Sequence, residues 1–277
     1  MAPASDDVRP RALVTGASSG IGAAFAERLA RDGYDLILVA RRRDRLEKLA
    51  ERLRERFDID AEAVVADLTD AGDVDALEAR LAEDEALSLL INNAGFGGYG
   101  PFAALDPAVI DDLIDVHIRA ATRLTRAALP GMIARGEGGI INVGSLLAVS
   151  GTLPPNPLPY RAVYAGAKAY LLAFTQTLAG ELTGTGVRVQ VCLPSIVATE
   201  FHSLQGIDPT KIAAKLPAED VVTASLADLA RGEVACIPVL ADLAVFDALG
   251  EAERALLRAG AFQNVVLAER YRQAEQS

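Results

Sequence analysis

The feature that most constrains this chain is a regular alternation of short β-branched runs with amphipathic segments of helix length. ALVT (12–15), LILVA (36–40), AVVA (63–66), LSLLIN (87–92), GIINVGS (139–145), VRVQVCL (187–193) and residues 234–239 read as strands. Between them, helices are expected over 20–33, 43–57, 70–84, 107–135, 160–183 and 217–231, with a helical tail after the last strand. In the second of these helices Leu46, Leu49 and Leu53 share one face. LSLLIN is apolar without alternation, as a strand buried on both faces must be. Strands separated by helices need crossover connections. The chain therefore predicts an α/β fold, a doubly wound parallel sheet with helices on both faces. Residues 1–10 are expected as a flexible start, 11–240 as the single main domain and 241–277 as a helical tail. GTLPPNPLP (151–159) carries four prolines, which forbid a helix and most strand pairing, so it must be a loop. Residues 196–216 lack a strong period.

Composition narrows the function classes. A chain of 277 residues with 51% hydrophobic and 23% charged side chains can bury a large core. Its 27 Lys and Arg against 38 Asp and Glu give a net charge of −11, and an acidic surface repels nucleic acid and anionic membranes. The two histidines, His117 and His202, and the two cysteines, Cys192 and Cys236, are too few to build a metal centre without improvisation, so no metal is expected. Both cysteines sit in apolar, strand-like runs and read as buried free thiols. The opening MAPASDDVRP lacks the basic and apolar regions of a signal peptide, and the apolar runs are too short to cross a bilayer. A cytoplasmic protein is the expectation.

The first strand runs into Thr15-Gly16-Ala17-Ser18-Ser19-Gly20-Ile21-Gly22, which opens the first helix. A glycine turn in this setting lets backbone approach a pyrophosphate, and the helix N-terminus offers unpaired N–H groups and the positive end of a dipole. After the second strand stand Arg41, Arg42, Arg43 and Arg45, and LILVARRR contains no acid. A site for NAD would set a carboxylate there for the ribose 2′-hydroxyl, whereas arginine suits a 2′-phosphate, so NADP(H) is expected with Arg41 as its main contact. Arg43 and Arg45 read as a solvated helix start. Tyr164 and Lys168 are four apart and share a helix face, where the ammonium would favour the phenolate and lower the tyrosine below its usual value near 10.

These motifs, taken in order, make the sequence resemble the short-chain dehydrogenase/reductase family. To the T-G-x-x-x-G-x-G turn are added Asp67-Leu68 after the third strand, Asn92-Asn93-Ala94-Gly95 after the fourth, Ser145 after the fifth, Tyr164-x-x-x-Lys168, and Pro194-Ser195-Ile196-Val197-Ala198-Thr199 after the sixth. The resemblance covers about residues 10 to 240 and implies a seven-stranded Rossmann-type sheet with one site across its carboxyl edge. It implies Tyr164 as acid/base, Ser145 on the substrate oxygen, and Lys168 on the nicotinamide ribose. Gly16, Ser18, Ser19, Gly20, Ile21, Gly22, Arg41, Arg42, Asp67, Leu68, Asn93, Ala94, Gly95, Pro194, Val197 and Thr199 would contact the cofactor, with Asp67 on the adenine side. Three departures stand out. Ser195 replaces a usual glycine, the proline loop lengthens the stretch from Ser145 to Tyr164, and His117 takes the place of a common asparagine. In the family that asparagine helps hold a water linking the lysine to solvent. Imidazole could serve the same relay and, with an ordinary pKa near 6.5, would add a limb to the rate profile near neutral pH.

The expected function is NADP(H)-dependent hydride transfer between a carbonyl compound and an alcohol. A cofactor-binding regulator or scaffold of the same fold is the alternative, though such proteins often lose the Tyr–Lys pair that is intact here. A sugar-nucleotide epimerase is disfavoured by the glycine spacing and the short C-terminal part. Residues 151–163 and 196–216 should line the substrate end, with Leu153, Leu158, Phe201 and Leu204 giving it apolar character and Tyr160 at its lip. By resemblance, a homodimer or homotetramer would pair through the two long helices.

Overall fold

In the computed structural model, residues 9–156, 158–201, 215–261, 266–267 and 269–272 are described. They divide into two compact units, one ending at Pro238 and one beginning at Val239. The first unit holds a seven-stranded parallel sheet: β1 Arg11–Thr15, β2 Asp35–Ala40, β3 Ala61–Val65, β4 Leu87–Asn92, β5 Gly138–Val143, β6 Val187–Cys192 and β7 Ala235–Cys236. Their order is β3-β2-β1-β4-β5-β6-β7. The direction of winding reverses between β1 and β4, which opens a crevice at their carboxyl ends, the usual ligand position in such sheets.

The helices are α1 Gly20–Arg31, α2 Arg43–Phe57, α3 Ala71–Glu83, α4 Pro107–Ile114, α5 Ala121–Arg135, α6 Ala162–Glu181 and α7 Ala218–Arg231. Strand alternation sends successive side chains to opposite faces. Ala12 and Val14 of β1, with Leu36 and Leu38 of β2, join Phe25, Leu29, Leu46, Leu53 and Val221 in one core layer. Leu13, Ile37 and Val39 point the other way and meet Leu77, Leu81, Leu124, Met132 and Leu178. The second unit contains α8 Ala244–Ala261 and the four-residue α9 Glu269–Arg272. Just before α8 the Asp242 side chain accepts from the Ala244 amide at 3.0 Å.

Two elements depart from the sequence reading. The helix expected over 107–135 is broken into α4 and α5 by a π-helical turn, Asp115–Ala120. One residue of that turn is His117, whose Nε2 lies 2.9 Å from the Phe96 carbonyl, and such turns often occur at functional sites. The last strand is two residues long rather than six. It lies at the sheet edge, and Pro238 just after it has no N–H to offer. The proline loop has neither helix nor strand among its described residues.

Candidate active site

The floor of the crevice is the glycine turn. Thr15, the last residue of β1, fixes it: its hydroxyl accepts from the amides of Asn93 (2.9 Å) and Ala94 (3.0 Å) and donates to the Ile91 carbonyl at 3.2 Å. Asn93 returns the contact through its side-chain amide to the Thr15 carbonyl at 2.9 Å. A side chain at Gly22 would run into the Gly16 carbonyl and Asn93, so only glycine lets α1 start this close to β1. Thr199, after β6, packs its methyl over Gly20, bringing the Pro194–Thr199 segment to the same turn. The first turn of α1 thus presents backbone N–H groups to an open cleft, a cradle that fits a pyrophosphate.

Arg41 and Arg42, both expected at the cofactor, both line the cleft, with different partners. Arg42 lies over the turn, donating from Nε to Ser18 Oγ at 3.1 Å and from Nη2 to Ser18 Oγ (2.9 Å) and Ser19 Oγ (2.6 Å). Arg41 is 68% exposed at its side chain and faces Asp67 at 3.6 Å instead. Adjacent side chains on an extended stretch of chain point to opposite sides, so only one of the two reaches the serines. Burial raises the Asp67 carboxyl, but hydrogen bonds from the Thr69 amide and hydroxyl, with Arg41, outweigh it and hold it below its ordinary value. Part of Asp67 is therefore engaged within the protein.

The reactive end gathers Ser145, Tyr164, Lys168 and His117. Ser145 follows β5, and its Oγ accepts from the Leu147 amide at 3.2 Å. Tyr164 is 6% exposed. Burial raises its phenol above 10, the Tyr99 phenol adds to this and Ser145 opposes it. The acidification expected from Lys168 is overturned. Lys168 is itself 4% exposed, and burial draws it down from 10.5 to about 7, so much of its charge is gone at neutral pH. Its Nζ donates to the Val143 carbonyl at 2.8 Å and lies 5.6 Å from the Tyr164 ring centre. The neutral phenol is the stable form here.

His117 is 2% exposed, and its Nε2 is 2.9 Å from the Phe96 carbonyl. Its ring meets Tyr164 edge-on at 5.6 Å, and a side chain at Gly95 would collide with it. Burial, then the Lys168 charge, lowers it well below 6.5, so it is neutral at physiological pH. A limb near neutral pH from this residue is therefore not expected.

A cavity of about 870 Å³ joins these parts, from Gly16, Ser18 and Arg42 through Leu68, Ala94 and Gly95 to Ser145, Tyr164 and Lys168. It also reaches Ile21, Asp67, Asn93, Pro194, Val197 and Thr199. A family model described as short chain dehydrogenase matches residues 10–208. The chain belongs to the short-chain dehydrogenase/reductase family. A short-chain dehydrogenase from Sphingobium yanoikuyae, solved in complex with NADPH, is 39% identical with a TM-score of 0.88, covering 95% of this chain and 100% of that one. The bulky-bulky ketone specific alcohol dehydrogenase from Comamonas testosteroni is 34% identical with a TM-score of 0.85, covering 95% of this chain and 99% of that one. The very-long-chain 3-oxoacyl-CoA reductase of Bos taurus is 33% identical over 70% of this chain. The match spans only 61% of that relative's length.

The family pattern omits three groups that the structure brings to the site. Tyr99 stands edge-on to Tyr164 at 5.4 Å and to Phe201 at 6.4 Å, its phenol pushed up to about 12 by burial against the opposing charge of Arg161. Phe96 packs on His117 at 5.9 Å. Glu200 meets Arg42 at 3.2 Å and Arg45 at 2.7 Å, so Arg45 is not a merely solvated helix start. Leu153, Leu158 and Phe201 line the cavity, as their apolar character suggested. Tyr160 is exposed, and its carbonyl accepts from the Gly100 amide at 3.2 Å. Leu204 and His202 lie outside the described residues. Cys192 and Cys236 are buried free thiols, paired in register across β6 and β7.

Proposed function

We propose that this protein is an NADP(H)-dependent reductase of apolar ketones, including ketones with two large substituents. The observation that carries the reading is the buried Tyr164 and Lys168, with Ser145 beside them, at one end of a cavity whose other end is the glycine turn. Arg42 with Ser18 and Ser19 offers charge and hydroxyl donors to a 2′-phosphate, and the head of α1 offers backbone N–H groups to the pyrophosphate. When bound there, the nicotinamide supplies the hydride that reaches the carbonyl carbon. The neutral Tyr164 phenol gives its proton to the carbonyl oxygen, and Ser145 hydrogen-bonds the same oxygen. Lys168, at about 7, exchanges a proton readily at neutral pH and restores the phenol. The aromatic wall of Phe96, Tyr99 and Phe201, with Leu153 and Leu158, suits an apolar substrate and excludes water from the proton transfer. The Comamonas relative, specific for bulky-bulky ketones, supports this choice of substrate. The same reading includes a homodimer or homotetramer paired through α5 and α6, and a cytoplasmic location.

The test is NADPH oxidation against a graded panel of ketones, with Tyr164→Phe alongside. The expected result is turnover of bulky ketones by the wild type and a loss of about 10²–10⁴-fold in the variant, with NADPH affinity within twofold. A variant that keeps more than half of the wild-type rate, with chemistry limiting, refutes the assignment.

A further inference from the structure

Arg161 is a buried cation at the head of the helix that carries Tyr164, and nothing in the reaction uses it. It is 8% exposed, and among the described residues no carboxylate pairs with it. Its donors go to one loop instead. Nε donates to Ser150 Oγ at 2.8 Å, Nη2 to the Ser150 carbonyl at 2.8 Å and to the Leu153 carbonyl at 3.0 Å, and Nη1 to the Pro159 carbonyl at 3.1 Å. The acceptors stand at the entrance and the exit of the proline loop, so one side chain bridges both ends.

The chemistry of the loop explains why an arginine is needed. Proline has no N–H, so a segment with prolines at 154, 155, 157 and 159 is short of donors for its own carbonyls. A planar guanidinium supplies several donors in a fixed fork. Burying a charge without a counter-ion is unfavourable, and a loop that needed only closure could use a neutral side chain. Here the carbonyl dipoles take the counter-ion's place, which ties the charge to this loop conformation. Ser150, Leu153, Leu158 and Pro159 line the cavity, and the Arg161 carbonyl begins α6 by accepting from the Ala165 amide at 2.7 Å. The loop wall and the catalytic tyrosine are thus set from one residue.

We infer that Arg161 is a specificity-determining positioning residue: its guanidinium staples the 150–159 loop to the head of α6 and so fixes the shape of the substrate wall. The inference rests on the reductase reading for its kinetic consequence but not for the staple itself. The variants are Arg161→Met, Arg161→Lys and the milder Ser150→Ala, which removes one of the four bonds and serves if Arg161→Met does not fold. Hydrogen exchange of the cofactor-free protein should be at least tenfold faster at the Leu153 amide in Arg161→Met, with smaller gains in the other two. In steady-state assays, KM for bulky ketones should rise at least tenfold with kcat within threefold, NADPH affinity should hold, and Arg161→Lys should restore part of the loss. Unchanged loop exchange in variants that fold overturns the staple. Faster exchange with unchanged ratios of bulky to small ketones overturns the role in specificity. A general fall in kcat with all substrates also overturns it, because it marks a fold defect. If the wild type reduces no ketone, the function proposed above fails, and loop exchange alone decides the staple.

Discussion

Replacing Lys168 with methionine should stabilise the fold while it removes activity. Burial draws the Lys168 ammonium down from 10.5 to about 7. A tenfold change in acidity is worth about 1.4 kcal/mol, so keeping the charged form inside the fold costs about 5 kcal/mol at pH 7 and below. Methionine has similar length and no charge, but it leaves the Val143 carbonyl without its 2.8 Å donor. An orphaned buried acceptor costs about 1–3 kcal/mol. The balance is a gain of about 2–4 kcal/mol, which at about 2 °C per kcal/mol for a chain of this size raises Tm by roughly 4–8 °C. The pH dependence has a definite sign. With its folded pKa below the unfolded one, Lys168 holds fewer protons in the folded state between about pH 7 and 10.5. Wild-type stability therefore rises with pH across that window, and the advantage of the variant shrinks toward its upper end. Urea and thermal melts of both cofactor-free proteins at pH 6.5, 8 and 9.5 measure this. A variant that is less stable at pH 6.5, or a gap that does not change with pH, would refute the reasoning. The expected pattern is a site kept at the expense of stability.

Arg42→Ala should raise KM for NADPH by roughly ten- to a hundredfold while leaving NADH nearly unchanged, because a charged hydrogen-bonded pair to phosphate is worth about 1.5–3 kcal/mol. Arg41→Ala should do much less, and equal losses with both cofactors in Arg42→Ala would overturn the assignment. His117, lowered well below 6.5 by burial, should leave the rate profile between pH 6 and 8 superimposable for wild type and His117→Asn. Its folded state binds fewer protons than the unfolded one below pH 6.5, so wild type should lose more stability than His117→Asn as pH falls from 6.5 to 4.5; equal losses in melts over that range would sink the idea.

Much of this was legible in the sequence because it is local. Strand and helix periods, the glycine turn and the Tyr164–Lys168 spacing each depend on residues within a few positions of one another, and α2 and β4 have the bounds read from the sequence alone. What escaped depends on tertiary contact. Tyr99 and Phe96 sit in GFGGYG, a segment whose glycines signal only a loop, and their meeting with Tyr164 and His117 is made by the fold. Arg161 falls inside the helix expected over 160–183, and its role shows only when the donor-poor loop beside it is seen. Arg41 and Arg42 are adjacent, and no periodicity tells which one faces the serines. The tyrosine's acidity was misjudged for a related reason. A nearby lysine lowers it only while charged, and burial removes that charge from the pair.

The Thr15 hydroxyl has a consequence for how quickly this cleft can be filled. Three hydrogen bonds on one atom, two accepted from β4's exit and one donated back to it, lock the tips of the two strands between which the winding reverses. The cradle is held by the protein's own covalent neighbours and ladder, so an arriving phosphate meets donors already in place. Little ordering has to accompany its capture at that end, and association there should be governed by diffusion and by the charge of Arg42 rather than by rearrangement of the turn. The 150–159 loop at the opposite end of the crevice is held instead by side-chain bonds from Arg161, so the two ends of the cleft rest on separate contacts.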